Sequence, residues 1–221
     1  MIRERLQQVR DRIARAAERA GRDPSSITLI AVSKIKPAAD IVEAYEAGQR
    51  DFGENYVQEF QTKKGELPDL PGARFHLIGH LQSNKSRIAS ELFDVIQTVD
   101  SIKLARRLEE QTDKPLDVFL EVKLSEEDAK HGMEPDQIRA VQEYLSGCRN
   151  LRLRGLMTMP PWSDDPEAAR PYFRRLRELA ESHGLAGLSM GMSHDLETAV
   201  EEGATIVRVG TAIFGKRIKP E

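Results

Sequence analysis

The chain has 221 residues, 39% hydrophobic and 31% charged, with a formal net charge of −3 at pH 7. That is the composition of an ordinary globular protein with a sizeable core, and single barrels of this length are routine. There is no basic excess and aromatics are only 5%, which argues against nucleic acid as a partner. Cys148 is the only cysteine, so no intramolecular disulfide can form and the expected compartment is a reducing one, the cytoplasm. The amino terminus is charged from Arg3, and no apolar segment approaches the ~20 residues needed to cross a bilayer. Neither export nor a membrane partner is expected.

Along residues 2–20, Ile2, Leu6, Val9, Ile13, Ala16 and Ala20 recur at alternating four- and three-residue steps, predicting an amphipathic helix ended by Gly21. The apolar run 27–33 predicts a strand. It leads into Lys34, and Pro37 opens a helix through Ala47 with Ile41, Val42 and Tyr45 on one face and Gly48 after it. A short strand at 51–53 precedes a helix carrying Tyr56, Val57 and Phe60, and a loop at 68–72 leads into the strand 75–79. Further strands are predicted at 95–99, 116–122, 153–157, 188–190 and 206–209, separated by helical patterns such as Ile138/Val141/Leu145 and Phe173/Leu176/Leu179. Short apolar strands alternating with helices predict an α/β chain folded as a single (β/α)8 TIM barrel with an extra N-terminal helix. One domain, 1–221, is expected, with an open doubly wound sheet as the second choice. The stretch 160–166 reads as a loop able to move.

Lys34 lies at the carboxyl end of the first strand, the edge where ligand sites form in parallel α/β folds. An amine partly buried there has its pKa lowered and can capture a carbonyl compound as a Schiff base. Taken alone it also fits a solvated strand-end lysine, and Lys36 competes, although Pro37 argues against the strand continuing to it. At the other end of the chain, Ser193 precedes a helix at 196–202 and reads as its N-cap, while Gly210 and Thr211 follow the last strand. Ser193 alone fits a plain cap. Together with Gly210 and Thr211 it fits a phosphate site after strands seven and eight. An amine beside a phosphate site suggests a phosphorylated carbonyl compound.

Other patterns fail. Residues 210–216 match the start of a P-loop, but Arg217 stands where magnesium needs a hydroxyl. Ser193, His194 and Asp195 are sequence neighbours and cannot form a relay, and the segment lacks the second glycine of a nucleophile elbow. His76 and His80 lie on a strand and its exit, which is not the helical spacing of a zinc pair, and no metal is implied. The polar stretch 80–87 reads as a helix start that can also line a pocket mouth. Lys130 is a second candidate capture site, although a solvated loop lysine is the simpler reading.

AVSKIKP, FGENYVQE, HLIGHLQSNK, GLMTMPP, LSMGMS and VRVGTAIFG occur in the order found in the pyridoxal-phosphate homeostasis protein family, which this chain resembles over residues ~1–217. The family is similar to the barrel domain of alanine racemase. The resemblance implies pyridoxal 5′-phosphate held as an internal aldimine on Lys34, with little or no catalysis and a role in vitamin B6 homeostasis. It implies that Ser193, Gly210 and Thr211 hold the phosphate and that Arg208 faces the pyridine nitrogen. Asn55 and Met157 are implied to line the pocket. Two positions depart from the pattern: His194 where many relatives carry an acidic residue, and Ile35 where threonine is frequent. They touch neither lysine nor phosphate positions.

The leading expectation is a carrier, a monomer that exchanges the cofactor with apo pyridoxal-phosphate enzymes. The alternative is a pyridoxal-phosphate-dependent amino-acid racemase with a base drawn from Tyr56, His80 or Lys36. With the sequence ending at Glu221, the expectation is that no second β domain supplies a racemase's opposing tyrosine. A Schiff-base aldolase shares the lysine and phosphate logic but predicts a colourless protein.

Overall fold

A computed structural model describes residues 1–125 and 131–215, so Lys130, Lys216 and Arg217 lie outside the described residues. The chain begins with helix α1 (Ile2–Arg19), whose buried stripe is Ile2, Leu6, Val9, Ile13, Ala16 and Ala17. Gly21 ends it in the left-handed region, φ 64°. Strand β1 (Thr28–Val32) and helix α2 (Ala38–Glu46) follow, then β2 (Asp51–Glu54), α3 (Val57–Glu66) and β3 (Arg74–Leu77). The alternation continues through α4 (Ser86–Leu92), β4 (Val95–Val99), α5 (Ile102–Gln111), β5 (Leu116–Glu121), α6 (Ile138–Ser146) and β6 (Leu151–Met157). It closes with α7 (Arg170–Ser182), β7 (Gly187–Ser189), α8 (Leu196–Glu201), β8 (Ile206–Val209) and α9 (Thr211–Phe214).

The strands pair in sequence order and all in parallel, and β8 returns to β1, with Ile30 beside Arg208 and Ala31 beside Val209. This is the expected closed barrel with its extra N-terminal helix; the open sheet is not formed. Each strand puts alternate side chains on opposite faces. Leu29 and Ala31 point to the helical layer with Val207 and Val209. Ile30, Val32, Ile78, Val95, Phe119, Met157 and Ile206 fill the lumen. Burying each such aliphatic or aromatic side chain contributes roughly 1.5–3 kcal/mol.

Lumen packing depends on missing side chains as well. Phe119 lies over Gly187, and a Cβ at Gly155 would collide with the Gly187 carbonyl of the next strand. Gly155→Ala is therefore expected to force β6 and β7 apart and to destabilise by about 3 kcal/mol, the upper end for overpacking. Urea unfolding measures it. A midpoint unchanged from wild type would refute the account.

Helix α1 fastens the seam where the barrel closes. On one side the Arg10 guanidinium donates to the Ala47 carbonyl at 3.3 Å. On the other, Arg12 forms a two-pronged pair with Glu197 of α8 (2.6 and 2.8 Å), and Arg22, just past the helix, donates to the carbonyls of Val200 (2.7 Å) and Ala204 (2.8 Å).

Candidate functional site

Strand β1 ends at Val32, and Lys34 sits in the tight turn that follows, where Lys36 N–H donates to the Ser33 carbonyl at 3.1 Å. Lys34 is half-buried. Ile35 is forced to φ 59°, the only described non-glycine residue with positive φ. Lys36 turns away from the strand direction, and its ammonium donates to the Phe214 carbonyl in α9 at 3.0 Å. The turn after β1 and the helix after β8 are thus in direct contact.

Gly210 caps α9, and a Cβ there would lie 3.3 Å from the Val32 carbonyl, so the bare backbone is packed against the end of β1. The Ser193 hydroxyl accepts from Ala212 N–H at 3.5 Å, which spans the β7 and β8 loops. The structure therefore brings the Lys34 turn, Gly210, Thr211 and the Ser193 loop together at one edge of the barrel mouth. Arg12 of α1 braces that loop by donating to the Ser193 carbonyl at 3.0 Å.

One expectation is corrected. Ser193 is not the N-cap of α8, because the helix begins at Leu196 and Asp195 occupies the cap position. The Asp195 carboxylate turns back to accept from Met192 N–H at 2.6 Å, which leaves the Ser193 hydroxyl facing α9 rather than its own helix. Burial pushes the Asp195 carboxyl upward, with the Met192 N–H and Arg208 opposing.

Arg208 projects from β8 into the lumen and is 3% exposed. Burial pulls its guanidinium down to about 10, with Asp195 and Glu121 opposing. It donates to the Thr158 carbonyl at 2.9 Å and to the Ser189 hydroxyl at 2.7 Å. From there a buried chain continues. Ser189 donates to Gln97 Oε1 (2.6 Å), Gln97 Nε2 donates to His76 Nδ1 (3.1 Å), and His76 Nε2 donates to Asp51 (3.0 Å). An amide nitrogen can only donate, so His76 accepts at Nδ1 and carries its proton on Nε2. The chain runs through β8, β7, β4, β3 and β2, from Arg208 to the start of β2.

Met157 is fully buried among Val95, Phe119 and Ile206, so it forms a floor and not an exposed lining. Asn55 follows β2, and its Oδ1 is buried with no hydrogen-bond partner. Glu121 ends β5, directly across the barrel from β1. Its Oε2 is likewise buried and unpartnered. Burial and the Asp100 carboxylate push Glu121 up to about 7, with Arg208 opposing. Two orphaned polar atoms facing strand ends, together with the bare Gly210 backbone, fit a ligand carrying both polar ring substituents and an anion.

Of the bases named for a racemase, Tyr56 is 54% exposed at the start of α3. His80 stacks on His131 with ring centroids 3.9 Å apart, and burial followed by His131 lowers its pKa against Asp100. The stretch after β3 forms a helix start, a short 3-10 turn at Ser83–Lys85 leading into α4. His194, one of the departures, donates from Nε2 to the Asp164 carbonyl (3.0 Å) and packs near Trp162.

Behind Lys34 lies a cluster that the sequence analysis missed. Lys63 of α3, 6% exposed, donates to the Ser33 carbonyl (2.9 Å), Glu54 (2.7 Å) and Glu59 (2.9 Å). Glu54 also accepts from the Ser33 hydroxyl at 2.7 Å. Burial pushes the Glu54 carboxyl upward, with Lys63 and Ser33 opposing.

Comparison with known proteins decides the family. The model of the alanine racemase N-terminal domain matches residues 5–218. The pyridoxal phosphate homeostasis protein of Pseudomonas aeruginosa is 50% identical over 221 residues, covering 98% of this chain and 96% of that one. The chain belongs to the pyridoxal phosphate homeostasis protein family. Among solved structures, PipY of Synechococcus elongatus with PLP bound is 43% identical, with a TM-score of 0.85 over 97% of this chain and all of that one. Alanine racemase of Corynebacterium glutamicum, 17% identical with a TM-score of 0.68, spans 98% of this chain and 63% of its own; it shares the fold. Family members therefore carry the barrel described above. No described helix is long and apolar enough to cross a membrane.

Proposed function

We propose that this chain binds pyridoxal 5′-phosphate, with Lys34 as the amine that captures its aldehyde and Ser193, Gly210 and Thr211 as the phosphate ledge. The observation that carries this reading is the contact between the Lys34 turn and the glycine-opened helix after β8. When bound, the cofactor supplies a reactive aldehyde and an electron-withdrawing ring. The Lys34 amine would hold the cofactor through its aldehyde. Arg208 would hold the pyridine-nitrogen side of the ring, where its guanidinium would disfavour protonation of that nitrogen and weaken the ring as an electron sink. Asn55 would hold the ring edge, and Met157 would support the floor beneath it.

In this reading the protein is a single-domain cytoplasmic monomer that acts in vitamin B6 homeostasis, releasing the cofactor to apo-enzymes without substantial catalysis. Cα deuterium exchange in L-amino acids no faster than with free cofactor is the outcome that separates it from a racemase.

The decisive experiment is Lys34→Ala. Wild-type protein loaded with pyridoxal 5′-phosphate is expected to show the visible absorbance of a lysine-bound aldehyde. Borohydride is expected to fix the added mass on the peptide containing Lys34, and the variant should lose both signals. A variant that keeps the absorbance would overturn the reading.

A further inference from the structure

We propose that Glu59 and Lys63 of α3 are positioning residues that clamp the two peptide groups flanking Lys34, an inference resting on Lys34 as the aldehyde-binding amine. The peptide entering Lys34 carries the Ser33 carbonyl, which accepts from Lys63 Nζ at 2.9 Å. The peptide leaving it carries the Ile35 N–H, which donates to Glu59 Oε1 at 2.6 Å. The same Glu59 oxygen accepts from Lys63 at 2.9 Å, so both grips meet in one pair spaced by one helical turn.

The clamp is anchored from behind. The third donor of Lys63 goes to Glu54 Oε1 at 2.7 Å, and Glu54 is fully buried at the end of β2. Lys63 is thereby held by the barrel wall and cannot follow the turn if the turn moves. Helix α3 transmits the position of β2 to the backbone around Lys34.

The backbone of Ile35 explains why a clamp is needed. A β-branched residue at φ 59° is strained and persists only where its surroundings over-determine it. Without the Glu59 acceptor the turn relaxes toward an ordinary conformation, and the Cα of Lys34 swings with it. The distance from the lysine to the α9 ledge then ceases to be fixed. A ligand gripped at both ends suffers from that loss, whereas a ligand gripped only at the lysine does not.

The experiment compares two aldehydes on cofactor-free protein. Pyridoxal 5′-phosphate needs the lysine and the ledge together, and 5′-deoxypyridoxal needs only the lysine. In Glu59→Ala the preference for the phosphorylated aldehyde is expected to fall about tenfold from wild type, as sub-ångström misplacement does for two-point attachment. Glu59→Gln, whose side-chain oxygen still accepts from Ile35 N–H, is expected to keep most of the preference.

A merely structural Glu59 would weaken both aldehydes alike and leave their ratio at the wild-type value, and that result would overturn the proposal. So would an equal fall in Glu59→Gln. Lys34→Ala separates the two levels. If it retains the lysine-bound absorbance, the functional reading itself is wrong; if it loses the absorbance while the Glu59→Ala ratio stays wild type, only the clamp is wrong.

Discussion

Lys63→Met is expected to lower the unfolding free energy by about 3–5 kcal/mol at neutral pH, the usual cost of removing one partner from a buried ion pair. All three ammonium donors are in use, to Ser33, Glu54 and Glu59. Methionine keeps the apolar stem but supplies no donor, so Glu54 is left with the Ser33 hydroxyl alone. Its Oε2 already lacks a partner, and its carboxyl, pushed upward by burial, moves further up when the ammonium goes. Taking up a proton caps the loss. The double variant Lys63→Met/Glu54→Leu removes the uncompensated group and is expected to recover more than half of the lost stability. Urea unfolding of both reads the result, and a double variant no more stable than the single would show that uncompensated charge is not the cause.

Glu121 sets the second large effect. Burial and the Asp100 carboxylate push its carboxyl up to about 7 in the folded protein, from an ordinary value of 4.5. Between those values the folded state binds the proton more tightly than the unfolded chain does, so stability falls as pH rises through the window. Below about 4.5 both states are protonated and the group is neutral in its effect. Above about 7 the full cost of burying the carboxylate is present, about 3 kcal/mol for a shift of this size. Glu121→Gln keeps the shape and cannot ionise. In cofactor-free protein it is expected to match wild type at pH 4.5 and to exceed it by up to about 3 kcal/mol at pH 8. Other groups add their own pH dependence, among them Asp195, pushed up by burial, and Glu197, held down against burial by Arg12. The difference between variant and wild type isolates Glu121, and parallel profiles across the range would refute the assignment.

The barrel was legible because its strands are buried on both faces and therefore read as short apolar runs between helical stripes. Their ends were less so. The run 75–79 forms strand only to Leu77, and Gly79 lies outside it, with no room for a Cβ beside the Asn55 carbonyl. Ser193 and Asp195 are both good capping residues, and propensity alone cannot rank them; Asp195 holds the cap position with no side-chain cap hydrogen bond, its carboxylate folding back onto Met192. The places of Lys34 after β1 and of Gly210 and Thr211 after β8 were readable from the apolar runs that precede them.

Lys63 was hidden because it is one of two adjacent lysines on a helix. Its neighbour Lys64 is exposed, with its ammonium 4.7 Å from the centroid of the Phe75 ring. The available signal was that Lys63 falls three residues after Phe60, on the apolar face. Gln97, His76 and Glu121 carried a similar signal: each is a polar residue at an inward position of an otherwise apolar strand, where only a partner network or a ligand justifies burial.

Helix α1 ties the first and last βα units together through Arg10 and Arg12, and Arg12 also holds the loop that carries Ser193. In the proposed function, the joint that completes the cylinder also carries the phosphate ledge. Anything bound there would bridge the first and last βα units, so loading is expected to stabilise the folded chain by linkage.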